Sequence, residues 1–163
     1  MNYKIIGCIT LLFAFLIFPA SAAMVSFLVV ETGLSEESPG TQHSVLWEDA
    51  LMSSFFNAGH IVTNNPVIRM KEKPAQKLDD SVKADFEEAV MGGAEYFVLC
   101  FLNYKSQERG TVPVDITIRT YKTATHELVF EQSFPFSRGR TQYEEIQFAQ
   151  NTGGIVVSEI GGW

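Results

Sequence analysis

Tyr96-Phe97-Val98-Leu99-Cys100-Phe101-Leu102 is apolar at every position, and no other segment narrows the fold as much. Successive side chains of a strand point to opposite faces. An unbroken apolar run therefore makes both faces of one strand water-avoiding, the pattern of a strand covered on both sides. Each large apolar side chain moved fully into the interior contributes about 1.5–3 kcal/mol. The chain gains most by setting this strand at the centre of a sheet with a layer on each face. Gly92-Gly93, just upstream, lets the backbone turn into it.

The remaining periodicities supply the layers. Val25–Val30 is β-branched and aromatic, is closed by Glu31-Thr32-Gly33, and predicts a first strand. After a polar loop containing Pro39-Gly40, Ser44 is placed to cap a helix. Its apolar positions Trp47, Ala50, Leu51, Ser54, Phe55 and Ala58 recur at helical spacing, and Gly59 suits its end. Ile61-Val62-Thr63 predicts a short second strand, weakly continued at Val67-Ile68 after the Asn64-Asn65-Pro66 turn. Lys71–Lys77, with Pro74, reads as a solvated connection. A second helix begins at Asp80 or Ser81 and aligns Val82, Phe86, Ala89, Val90 and Gly93 on one face.

Beyond the central strand, Val114, Ile116 and Ile118 alternate with Asp115, Thr117 and Arg119. Leu128, Phe130, Phe134 and Phe136 alternate with Val129, Glu131, Ser133 and Pro135. Each of these strands is expected to have one wetter face, and the short polar segment Lys122–Glu127 joins them as an antiparallel hairpin. Thr141 and Glu144 match a capping box, opening a third helix through Ile146, Ala149, Gly153, Val156, Val157 and Ile160. Gly153-Gly154 either kinks that helix or lets a neighbour approach closely. The order strand, helix, strand, helix, strand, strand, strand, helix implies an α/β (α+β) fold, a mixed central sheet of about five strands with three helices packed on it.

The amino-terminal segment reads differently. Lys4 precedes an apolar run, Ile5–Phe18, broken by Pro19 and followed by Ala20-Ser21-Ala22, the small-x-small pattern of a cleaved export signal. Residues 1–22 are therefore expected to be a signal peptide, and residues 23–163 a single exported domain. The competing reading is an uncleaved anchor, because no charge occurs between Ile5 and Val30. Cys8 lies inside the apolar run and not at the cleavage point, which argues against a lipoprotein. Cys100 is then the sole thiol of the mature chain, so no internal disulfide forms, and its apolar neighbours make it a small hydrophobe. The formal charge of −7 argues against binding to nucleic acid or to an anionic membrane surface.

Three stretches carry a resemblance. They are Ala50-Leu51 through Gly59-His60-Ile61-Val62, Gly93-Ala94-Glu95-Tyr96-Phe97-Val98-Leu99, and the hairpin Ile118–Val129. Together with the order of elements, they resemble a group of bacterial envelope domains. That group includes the periplasmic domain of the curli secretion channel, the amino-terminal domain of the Tol-system β-propeller protein, and outer-membrane activators of penicillin-binding proteins. Thr125-His126 stands where the group usually has Thr-Gly at the hairpin turn. The lipid-bearing Cys of the activators and of the curli channel has no counterpart here. The resemblance implies the fold, an envelope setting and a non-catalytic assembly or regulatory role, and it brings no catalytic residues.

The search for reactive chemistry points the same way. His43, His60 and His126 fall on a loop, a helix end and a hairpin turn, without the i, i+4 spacing by which one helix face grips zinc. No glycine belongs to a phosphate-cradling strand-to-helix turn, and no Gly-x-Ser-x-Gly elbow occurs. The pairs Glu36-Glu37, Glu48-Asp49, Asp79-Asp80, Glu87-Glu88 and Glu144-Glu145 read as solvated surface. Neither a catalytic residue nor a metal or cofactor site is assigned. Most of the Phe residues outside the signal fall on inward faces, with Phe56 an exception. Arg138 and Arg140 form the one compact basic feature, and Trp163 ends the chain after Gly161-Gly162. Solvation for the arginines and packing for the tryptophan are the plain readings, and contact with a partner is the functional one.

These features predict a soluble, periplasmic or secreted module that works by binding envelope proteins, without nucleic acid and without a membrane span once the signal is removed. A small hydrolase or ligand-binding protein with a site formed only in the fold is the alternative, and a membrane-tethered structural subunit is the third. Amino-terminal sequencing of the exported protein is expected to begin at Ala23 or Met24. A start at Met1 would favour the tethered subunit.

Overall fold

In the structure, a computed structural model, residues 22–34, 42–74, 78, 80–104, 112–137 and 139–161 are described. The expected signal lies outside them but for Ala22, as do Arg138 and Trp163. In chain order the described elements are β1 (Met24–Thr32), α1 (Gln42–Asn57), β2 (Ile61–Asn64), β3 (Ile68–Met70), α2 (Asp80–Met91), β4 (Tyr96–Asn103), β5 (Asp115–Lys122), β6 (Glu127–Pro135) and α3 (Gln142–Ile160). They form a mixed sheet of six strands carrying three helices, one strand more than expected.

The all-apolar run is the middle strand of the path β2-β1-β4-β5-β6. β4 pairs parallel with β1 from Val25↔Tyr96 to Thr32↔Asn103, and antiparallel with β5 from Tyr96↔Lys122 to Asn103↔Asp115. Both its faces are covered. Val98, Cys100 and Leu102 pack with Val25, Phe27 and Val29 of β1 and with Trp47, Leu51 and Phe55 of α1. Phe97, Leu99 and Phe101 pack with Leu28 and Val30 and with Val82, Phe86 and Ala89 of α2.

Connectivity explains why the helices divide. The crossover β1-α1-β2 moves to one side of β1, and the crossover β3-α2-β4 returns past it to the other. Crossovers of one hand that run in opposite directions place their helices on opposite faces. α3, arriving after the hairpin, joins α1 on its face. There Gly153 permits close packing within a helix that runs unbroken to Ile160. A Cβ at Gly153 would lie 2.6 Å from Ser54 Oγ. The Ser54 hydroxyl is shared between the carbonyls of Ala50 in its own helix and Gln150 in α3, at 2.9 and 3.1 Å.

Several boundaries depart from the sequence reading. β3 is a separate strand and not a continuation of β2. The amide of buried Asn65 bonds to Phe27 O and Pro66 has no N–H to offer, so pairing with β1 resumes only at Val30↔Ile68. α1 begins two residues before Ser44, whose hydroxyl is turned inward. A β-bulge puts Val129 as an extra residue between Thr120↔Phe130 and Tyr121↔Leu128, so Leu128 faces the α2 side whereas Phe130 and Phe134 face the α1/α3 side. The Thr141–Glu144 capping box forms as expected. Hydrogen bonds from the Thr141 amide and hydroxyl hold the Glu144 carboxyl below the usual carboxylate range. The cap's contribution is therefore present above that range and is lost as pH falls through the lowered value.

His126 has φ +58° and sets its ring in an edge (T-shaped) contact with Phe86, centroids 4.9 Å apart. A left-handed backbone costs a residue with a Cβ about 1–2 kcal/mol. His126→Ala keeps that cost and loses the ring contact, while His126→Gly loses both. Urea denaturation is expected to find His126→Ala less stable than His126→Gly by about 1 kcal/mol. Ala at least as stable as Gly would show that the turn carries no backbone strain.

Candidate functional site

On the α1/α3 face, the first turn of α1 lies between two buried carboxyl groups. Glu31, from β1, accepts from Ser44 Oγ and, at 2.8 Å, from Arg69 Nε of β3. Glu145, from α3, accepts from Trp47 Nε1 at 3.0 Å and from His43 Nδ1, which lies 2.7 and 2.9 Å from its two carboxyl oxygens. Glu145 is only 4% exposed, so the solvated reading of the Glu144-Glu145 pair holds for Glu144 alone. The signal was present in the sequence. Glu145 shares a helical stripe with Ala149, Thr152, Val156 and Ile160, and His43 stands four residues before Trp47. A carboxyl on an apolar stripe needs partners brought by another element, and α1 brings them.

The opposite face of the sheet carries a polar row where α2 does not reach. Thr32 Oγ1 donates to Asn103 Oδ1 at 2.7 Å, and Asn103 Nδ2 donates to Asp115 Oδ1. Lys73 Nζ donates to Thr117 Oγ1 at 2.9 Å, and Thr117 Oγ1 lies 2.8 Å from Ser133 Oγ. Arg119, only 2% exposed, donates through Nε to Glu131 and through Nη1 to the Pro74 carbonyl, with its guanidinium 5.3 Å from the Phe101 ring centroid. The expected wetter face of β5 is thus covered, and Lys73-Pro74 is no solvated connection. Its reason is chemical: the long alternate side chains of β5 find partners in the 71–74 segment and in β6, so they can be buried.

These groups offer little purchase for catalysis. Thr117, at the centre of the hydroxyl–amine chain, is inaccessible. Burial pushes the Cys100 thiol pKa far up, leaving it in its unreactive form. Among the described residues, no group of three or more His, Cys, Asp or Glu could hold a metal ion. Nor is any helix among them long and apolar enough to cross a membrane.

Of the expected contact residues, only Arg140 is described. Its guanidinium lies 3.8 Å from the Phe148 ring centroid and 5.6 Å from that of Phe136. One terminal nitrogen is buried without a hydrogen-bond partner among the described residues, so the rings share in holding the cation.

The open surface lies elsewhere. A groove of about 510 Å³ runs between the outer sides of α1 and α3. Val45, Leu46, Ala50 and Ile146 are its apolar lining, and Gln42, Asp49, Ser53, Gln142 and Gln150 are its polar members. Val45 is 57% exposed, and on the same two helices Phe56 and Tyr143 are about as open to water. A smaller cleft of about 210 Å³ lies across the sheet, between the β2 edge and the end of α2, and includes Ser26, Asn65 and Glu88.

Comparison with known proteins adds one assignment. The sequence profile of a family described as "Uncharacterised protein" matches residues 25–134, from β1 to the end of β6. The chain belongs to that family. No curated protein matches the sequence. Solved structures similar to the chain include TolB from Acinetobacter baumannii, at 12% identity and TM-score 0.48, over 88% of this chain and 29% of that one. A PelC dodecamer from Paraburkholderia phytofirmans is similar at 13% identity and TM-score 0.44, over 85% of this chain and 87% of that one. A lipoprotein from Neisseria meningitidis is similar at 14% identity and TM-score 0.42, over 85% and 96%. With TM-scores below 0.5, these likenesses carry no argument about what the chain does.

Removing the Glu145 carboxyl strands the Trp47 indole N–H and the His43 ring between the helices. Glu145→Ala is expected to lower stability by about 1–3 kcal/mol, the cost of an unsatisfied buried donor. Glu145→Gln, which keeps an acceptor, should cost less. A change for Glu145→Ala within about 0.5 kcal/mol, as at a solvated surface position, would contradict this account; chemical denaturation reads it.

Proposed function

We propose that the protein is a non-catalytic module of the cell envelope, exported by cleavage of residues 1–22, that works by binding another protein. The observation that carries the reading is the groove between α1 and α3. It keeps apolar side chains at the surface, rimmed by amides and one carboxylate. Apolar positions left in water beside polar rim groups are the composition of a recognition surface. The buried carboxyl groups beneath this helical layer support the reading as well, since Glu31 and Glu145 are engaged by neighbouring side chains. The envelope setting is supported by the leader pattern and by the resemblance of the sequence to periplasmic domains. Arg138, Arg140 and Trp163 remain proposed partner contacts.

A photoreactive amino acid placed at Ser53 or Gln150, in the groove, is expected to give a discrete protein adduct when the full chain is expressed in its own cells. The same probe at Ala124, on the β5–β6 turn, should give none. Absence of an adduct from the groove positions, or turnover of a small molecule by the purified chain, would overturn the binding reading.

A further inference from the structure

We infer that the α1–α3 groove receives a basic amphipathic segment of the partner, with Asp49 as the counter-charge for its cation; this rests on the protein-binding reading above. The groove is floored by Leu46, Ala50 and Ile146 with Val45 at its lip, and its volume lies within the range of about 300–1,000 Å³ usual for ligand clefts. Among its lining residues Asp49 alone is charged, and it makes no hydrogen bond or ion pair among the described residues. Gln42, Gln142, Gln150 and Ser53 are neutral donors and acceptors.

The rest of the helical layer sharpens the electrostatics. Neither α1 nor α3 contains a Lys or an Arg, while together they carry Glu48, Asp49, Glu144, Glu145 and Glu159. Nothing on these two helices competes for Asp49. Arg140, just before α3, is held on the Phe148 ring, and His43 is turned to Glu145. An apolar trough between two helices that run side by side in the same direction suits a segment that presents anchors every three or four residues, with Lys or Arg beside them. An acidic partner would meet uncompensated carboxylates. A second copy in a two-fold contact would set this cation-free layer against itself, which the same charges oppose.

The test uses the full chain, a fluorescent amphipathic Leu/Lys helical peptide and its Leu/Glu counterpart, read by anisotropy at physiological ionic strength. The Leu/Lys peptide is expected to bind, and the Leu/Glu peptide to bind at least about tenfold more weakly. Asp49→Lys should weaken the Leu/Lys peptide about three- to tenfold, and Val45→Glu, at the apolar lip, at least as much. Glu88→Lys on α2, the same change in net charge across the sheet, should alter binding by less than about twofold. Equal losses for Asp49→Lys and Glu88→Lys would reduce the effect to net charge and overturn the inference. So would a dimer of the chain alone that Val45→Glu abolishes. Failure of the Leu/Lys peptide while the groove adducts persist would remove the basic partner but leave the binding module. Failure of both would remove the module too.

Discussion

Covering both faces of β4 is the constraint to which the rest of the structure answers. One layer of helix could bury Val98, Cys100 and Leu102 but would leave Phe97, Leu99 and Phe101 in water. The chain therefore needs crossovers that run in opposite directions around β1, and the strand order supplies them. From that requirement follow α1 and α2 on opposite faces and the hairpin β5–β6 at the remaining edge. The position of α3 follows as well: it is the second helix needed to widen the cover on the α1 side, where β5 and β6 extend the sheet.

The cover is incomplete on both sides, and each gap is closed by paired polar groups. On the α2 side the helix is short, and the 71–74 segment lies over β5, held by Arg119 to the Pro74 carbonyl and by Lys73 to Thr117. On the α1/α3 side the first turn of α1 is flanked by Glu31 and Glu145. Both arrangements obey one rule: a polar side chain enters the interior only where a different element brings its partner. Such partnerships also orient the elements, since the donors on α1 meet Glu145 only when α1 and α3 sit side by side. Gly153 against Ser54 sets how closely they lie.

That close packing has a surface consequence. Two helices brought together over their inward stripes leave a trough along their outward sides, and here the trough is apolar at its floor and carries at its lip one carboxylate, Asp49, that is unpaired among the described residues. The core explains the trough but not its lining. Val45, Phe56 and Tyr143 are exposed on these two helices and are not required by the packing beneath them. Surface apolar groups without a role in the core are where a binding reading finds its physical ground.

The sequence by itself determined the element order apart from β3, the central place of Tyr96–Leu102, the inert character of Cys100 and the α3 capping box, because each depends on local periodicity or on neighbours within a turn. It also held the stripe that buries Glu145, although adjacent Glu144 masked it. Tertiary structure alone decided what depends on distant partners. Only pairing shows that Pro66 splits one edge strand into β2 and β3, or that a bulge at Val129 turns Leu128 to the other face. Only packing shows that Arg119 and Thr117 are buried, because their partners lie 12 to 45 residues away in sequence. The α1–α3 groove belongs to the same class, being a property of two helices more than 80 residues apart in sequence and of neither one alone.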